Sequence, residues 1–272
     1  MRQTTPSLPS DGAQQRVTQA KVVRSEWTKL RSLPSTVWSL LAATVLIVGF
    51  GALYSLLRVT RPPSGPAAVA GFDPTAVSLV GVQLAELAIG VLGVLLVTGE
   101  YTTGTIRTSL AAVPTRLPVL WGKVVAFALT TLALCVPAAF AAFLVGQSIL
   151  SSEHLDTTLG HPGTARAVLG GALYLTAVGL LGLGLGALLR NPAGAIGALF
   201  GLLFAPQILV GFLPEAWSDR IYGYLPVPAG VAVTSVRPDP TSLGPWTGFG
   251  LFCLYTAVVL GLAAWQLRRR DA

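Results

Sequence analysis

Six runs of about 20 apolar residues, the length that crosses a bilayer as a helix, dominate this chain. They fall at residues 36–57, 76–98, 123–150, 167–189, 193–213 and 245–267, with only Glu86 interrupting the second. A soluble helical protein would keep a polar face on each helix, and these runs have almost none to spare. A membrane barrel would alternate polar and apolar residues, whereas these runs are continuous. Only 11% of the 272 residues are charged, against roughly 25% in soluble domains. The expected fold is therefore all-α: a polytopic membrane protein with six transmembrane helices within residues 35–272.

The basic residues set the expected orientation. With the N-terminus inside, Arg2, Arg16, Lys21, Arg24, Lys29, Arg31, Arg107, Arg116, Lys123, Arg190, Arg268, Arg269 and Arg270 face the cytoplasm, thirteen in all. The other five, Arg58, Arg61, Arg166, Arg220 and Arg237, face out, as do Asp73, Glu153, Asp156, Glu215, Asp219 and Asp239. Both termini are expected to be cytoplasmic. The net charge of +7 is then a consequence of topology, and no nucleic-acid partner is called for. Cys135 and Cys253 lie inside apolar runs and read as packed thiols rather than a disulfide. Arginine far outnumbers lysine (Lys21, Lys29 and Lys123), which together with the wealth of Ala, Gly, Leu and Val points to a bacterial source.

Residues 1–15, rich in Ser, Thr, Pro and Gln, read as a disordered tail and not as a signal peptide. Residues 16–34 read as a cytoplasmic amphipathic helix. Ala20, Val23, Trp27 and Leu30 share one face, and Lys21, Arg24, Lys29 and Arg31 surround it. A basic helix with a boundary Trp fits a membrane surface, and Pro34 ends it before the first span.

The segment between the second and third runs is the most informative. It reads Gly99-Glu100-Tyr101-Thr102-Thr103-Gly104-Thr105-Ile106-Arg107-Thr108-Ser109-Leu110-Ala111-Ala112-Val113-Pro114-Thr115-Arg116. Ile106, Leu110 and Val113 fall on one face of a short helix, Thr102 or Thr103 suits its start, and Pro114 ends it. A helix from about Thr103 to Val113 is thus expected across the cytoplasmic mouth, able to push on both adjoining spans.

Here the chain resembles a known family. Glu100, Gly104, Thr105 and Ile106, followed by Leu110, Pro114, Arg116 and Lys123, look like the coupling-helix loop of the type 2 class of ABC exporter permeases. The stretch Arg24-Ser25-Glu26-Trp27-Thr28-Lys29-Leu30-Arg31-Ser32 resembles the start of the actinobacterial branch. The resemblance implies an N-terminal elbow helix and a cytoplasmic coupling helix in a bacterial plasma-membrane exporter. It implies two copies of a separate ABC ATP-binding subunit as partner. It implies that Glu100, Tyr101, Gly104, Thr105, Arg107, Leu110 and Arg116 couple to that subunit. ATP and Mg would sit on the partner, with no cofactor on this chain. No Gly-x-x-x-x-Gly-Lys-Ser/Thr phosphate loop occurs here, so ATP hydrolysis is expected on another chain. Six spans give a narrow bundle, so a homodimer or a pair with a second permease is expected. The class handles drugs, antibiotic peptides, lipids and polysaccharides, and the sequence does not choose among them.

Glu86 has no charged neighbour in its run, and Gln83 precedes it by three residues. A charge at membrane depth faces a cavity or a partner, so the two are candidates for lining a translocation path. The alternative is a buried interhelical hydrogen bond. The glycines at 179, 182, 184 and 186, and at 194, 197 and 201, suit close helix packing. Pro137 and Pro206 are candidate kinks. The long last outer loop carries Trp217, Ile221, Tyr222 and Leu225 and resembles either an interfacial anchor or an extracellular gate. Motifs for intramembrane proteolysis are absent from the sequence. His154 and His161, with Glu153 and Asp156, read as a solvated loop. An ion-coupled carrier or a non-transporting anchor remains the alternative function.

Overall fold

The computed structural model describes residues 19–32, 34–63, 65, 71–104, 117–237 and 241–269. Among these, every regular element is helical. In chain order they are α1 (Gln19–Ser32), α2 (Pro34–Thr60), α3 (Pro74–Ser78), α4 (Gly81–Thr102), α5 (Leu117–Leu150) and α6 (Thr164–Leu189). There follow α7 (Pro192–Val210), α8 (Glu215–Tyr222), α9 (Pro226–Val231) and α10 (Pro245–Arg269). The helices α2, α4, α5, α6, α7 and α10 are long and apolar enough to cross a membrane, so the expected six spans are present.

Local chemistry sets the boundaries. Pro34, Pro74, Pro192, Pro226 and Pro245 each open a helix, where a missing N–H removes nothing from the ladder. Asp73 caps α3 by accepting from the backbone N–H of Thr75 and Ala76. Asn191 caps α7 by accepting from that of Gly194. Arg190, at φ 54°, stops α6 in the left-handed region, so two residues turn the chain from α6 into α7. Pro137 and Pro206 lie inside α5 and α7, and both helices run through them.

The segment expected as one helix over 76–98 is two. The chain ends α3 at Ser78, turns at Leu79 and Val80, and restarts at Gly81. The break is clamped from both sides. Gln147 of α5 donates to the Pro74 carbonyl at 3.1 Å and to Ser78 Oγ at 2.9 Å, and its Oε1 accepts from the Thr157 N–H at 2.7 Å. On the other side Gly81 lies against the backbone of Leu46 and Ile47 in α2, too close for any side chain. The third span starts at Leu117, so Lys123 stands inside a helix rather than at its mouth.

The core of the bundle is α6, with 72% of its apolar window buried. It packs chiefly on α4 and also on α5, α10 and α7. Lipid is as apolar as leucine, so helices in a membrane associate through close backbone approach rather than hydrophobic exclusion. The α4–α6 contact is built this way. A Cβ on Gly93 would collide with the Gly179 carbonyl, and one on Gly182 with the Gly90 carbonyl. The outer helices are different: only 22% of the α7 window and 28% of the α10 window are buried.

Gly182→Val is expected to destabilise the bundle by about 1–3 kcal/mol or more, the usual range for overpacking, because backbone cannot yield as a side chain does. Gly261→Val, where an added Cβ meets open space, is expected to leave stability nearly unchanged. Thermal unfolding of both variants in the same detergent checks the contrast.

Candidate functional site

Two polar centres stand out in this apolar chain. The first is at the end of the bundle that carries α1. That helix presents Val22, Glu26 and Leu30 inward, all buried; of the expected apolar face, Leu30 is thus buried and Val23 and Trp27 are half-buried. The burial of Glu26 is explained by its neighbour. The α1 helix docks on α5, where Gly122 leaves room for the Val22 side chain and the next residue is Lys123. A carboxylate is needed on the docking face because a cation waits beneath it.

Four charges meet there. Lys123 Nζ donates to Glu26 Oε2 at 2.6 Å and to Glu100 Oε1 at 2.6 Å. Lys29 Nζ donates to Glu26 Oε1 at 2.7 Å and to Glu100 Oε1 at 3.2 Å. The Lys123, Glu26 and Glu100 side chains are 2%, 5% and 14% exposed, against 39% for Lys29. Among the described residues two ammonium groups thus face two carboxylates in a site nearly closed to water. Three segments far apart in sequence are joined: α1, the last turn of α4 and the first turns of α5. Burial alone would lower the Lys29 pKa, but the hydrogen bonds and charges of Glu26 and Glu100 outweigh it, and the ammonium is held above its ordinary value.

Three of the resemblance-derived residues are described. Glu100 belongs to this quartet. Tyr101 is half-buried, and the Arg190 guanidinium lies over its ring at 5.2 Å. Gly104 is exposed at φ 73°, a backbone conformation glycine adopts without strain. Thr105, Arg107, Leu110 and Arg116, and with them most of the expected short helix, lie outside the described residues.

The second centre is deep in the bundle. The Tyr174 hydroxyl of α6 donates to Glu86 Oε2 of α4. Tyr174 is ten residues into α6, about 15 Å along its axis, which puts the pair near the bilayer middle. Glu86 is buried, while Gln83 is exposed on the outside of the bundle. The structure thus does not bring these two onto one polar surface. Above Tyr174 sits α9, which turns back into the bundle after the surface helix α8. Gly230 of α9 packs so closely on the Tyr174 and Phe252 rings that no side chain would fit.

Glu26 and Tyr174 are the members that sequence reasoning did not single out for a role. The signal for Glu26 was an acid three residues before Lys29 on an otherwise basic helix. For Tyr174 it was a lone hydroxylated ring in a span of small and aliphatic residues. Among the described residues no group of three or more His, Cys, Asp and Glu is placed to hold a metal ion.

The family model of the ABC-2 family transporter protein matches residues 15–272. The chain belongs to that family, and its six-span helical bundle is that of an ABC transporter permease subunit. A search of curated proteins found no match.

Removing one member of the quartet leaves a buried charge unpaired, which typically costs about 3–5 kcal/mol. Lys123→Met is expected to lower stability by that order. Adding Glu26→Gln to it restores charge balance and is expected to recover part of the loss, as a double-mutant cycle of melting temperatures would show. Because the Lys29 pKa is raised, its share of stability is present below its ordinary pKa of 10.5 and is lost only as pH rises through the elevated value. The effect of Lys29→Met should therefore be the same at neutral and mildly alkaline pH.

Proposed function

We infer that this permease serves an ATP-driven exporter of a bacterial plasma membrane, with two permease chains and two copies of a separate ATP-binding subunit. Both termini and the α1 end face the cytoplasm in this reading. The observation that carries it is the quartet. Residues 105–116 run from the end of α4 to the start of α5, and Glu100 and Lys123 stand on either side of that loop, locked to each other and to α1. A loop anchored this way transmits a push from a partner into two spans and the elbow helix together.

The roles divide accordingly. Gly104, Thr105, Arg107, Leu110 and Arg116 would face the ATP-binding subunit, with Tyr101 at the edge of the contact. Glu100 is turned inward, so its part is to carry the motion rather than to touch the partner. ATP and Mg would be held by the partner. ATP drives the cycle only insofar as it binds one arrangement of the subunits more tightly than the other. Glu86, bonded to Tyr174, acts as a tether between α4 and α6, and Gln83, exposed near the start of α4, would line a substrate path only where a second copy faces it.

A second copy of the chain is supported by α7. Its residues Ala195, Leu199, Leu203 and Val210 pack inward, while Gly194, Gly197, Gly201 and Ala205 form an exposed stripe on the opposite face. Small residues facing lipid add nothing unless another helix backbone approaches them. An added Cβ at Gly197 or Gly201 meets nothing within the chain. Gly201→Leu should therefore leave the single chain intact yet reduce the dimer fraction measured by crosslinking in membranes.

The deciding experiment is an affinity pull-down from mild detergent followed by ATPase and efflux assays on the recovered complex. The wild type is expected to retain an ATP-binding subunit. Glu100→Gln is expected to keep that subunit bound but lower substrate-linked ATP hydrolysis by about fivefold or more, a typical coupling energy. Recovery of intact dimer without any ATP-binding chain would turn the assignment toward an ion-coupled carrier or a membrane anchor.

A further inference from the structure

A groove of about 470 Å³ opens between the last turns of α6 and α10, at the end of the bundle that carries the ion quartet. Its size is within the range of about 300–1,000 Å³ that ligand clefts occupy. The walls are Leu188, Leu189, Leu262 and Trp265, and the rim carries Gln266 and Arg269. Leu189 and Trp265 are 47% and 52% exposed, so the groove opens sideways from the bundle. The Arg269 guanidinium rests over the Trp265 ring at 4.3 Å. Arg268 beside it is exposed, and Arg190 ends the neighbouring α6. Among the described residues no carboxylate forms an ion pair with any of these three arginines. The Gln266 Oε1 is shielded from water and has no hydrogen-bond partner among the described residues.

We propose that this groove is a binding site for an anionic glycerophospholipid of the cytoplasmic leaflet, with an acyl chain between α6 and α10 and the phosphate at Arg269. The argument is the order of chemistry along the groove. Leucine and tryptophan side chains offer a slot for hydrocarbon. At its mouth stand cations that have no acidic partner among the described residues, and basic pockets between spans on the cytoplasmic side select anionic headgroups. Gln266 Oε1, an acceptor with no partner among the described residues, suits a donor on the occupant. A hydroxylated anionic headgroup, as in phosphatidylglycerol, supplies both the anion and the donor. A hydrophobic helix from another protein would cover the leucines but would bury the arginines against nothing. The leaflet rests on the orientation inferred above; the selectivity of the groove does not.

The test is native mass spectrometry of the full chain, purified in mild detergent and mixed with dioleoyl phosphatidylglycerol or with dioleoyl phosphatidylcholine. Their acyl chains are the same, so only the headgroup differs. Wild type is expected to retain phosphatidylglycerol in preference to phosphatidylcholine. Arg269→Gln should weaken that retention about fivefold, the worth of one arginine near an anionic lipid surface. Leu189→Trp, which fills the slot, should reduce retention of both lipids, and Gly261→Ala on the open face of α10 should change neither. Equal retention of the two lipids by wild type, or undiminished phosphatidylglycerol binding in both Arg269→Gln and Leu189→Trp, would overturn the site. So would a photo-crosslinker at Leu262 that joins protein instead of lipid. The orientation has its own readout. A cysteine replacing exposed Thr28 should react with a membrane-impermeant reagent only after cells are opened. Reaction in intact cells would overturn the leaflet assignment while leaving the headgroup selectivity to stand or fall separately.

Discussion

A polar group inside a bilayer must find its partner within the protein, because the surrounding hydrocarbon offers none. Much of this structure follows from how that demand is met at three levels. At the α1 end, Glu26, Lys29, Glu100 and Lys123 neutralise one another. Near mid-membrane, Tyr174 satisfies Glu86. Toward the far end, Gln147 holds α3 by two hydrogen bonds, to Pro74 and Ser78, and accepts a third from Thr157. Each site joins elements distant in sequence, so each polar residue specifies a packing arrangement as well as escaping from lipid.

Between those levels the bundle relies on small residues, and it does so unevenly. The glycines of α4 and α6 bring two backbones into direct contact, giving a stiff central pair. In α7 the glycines face away from the bundle, and α10 leaves most of its circumference uncovered. The same residue type thus makes a core in one helix and an open surface in another. A packed inner pair with lightly held outer helices suits a permease, in which some interfaces must persist while others slide.

The six spans were legible because about 20 apolar residues in a row admit few other folds. The break at Leu79–Val80 was not, since apolar runs conceal a turn, and the short helix before it is held at Pro74 and Ser78 by Gln147, some 70 residues on. Of the candidate site, Glu100 was legible through the loop pattern, but its direction was not. Which way a carboxylate turns depends on Lys123 and Lys29, and sequence does not say that these stand beside it. The amphipathic pattern of α1 likewise did not show that an acid joins its docking face. Counting apolar residues gave Glu26 no place, whereas docking against Lys123 buries it.

The α4 helix belongs to both polar centres, and this gives the proposed mechanism its lever. Glu86 and Glu100 are fourteen residues apart on it, close to four helical turns and about 21 Å of axis, so they project from nearly the same side. Yet α4 and α5, consecutive in the chain, touch little along their lengths. Their firm connection at the α1 end is the bond from Glu100 to Lys123. A push on the loop between them can therefore separate or rotate the two spans without breaking an extended interface, provided the quartet holds their ends in step. Were the quartet replaced by well-packed apolar residues, stability could survive, but the geometric link would lose its direction. Coupling is thus the property most sensitive to these charges, more than folding itself.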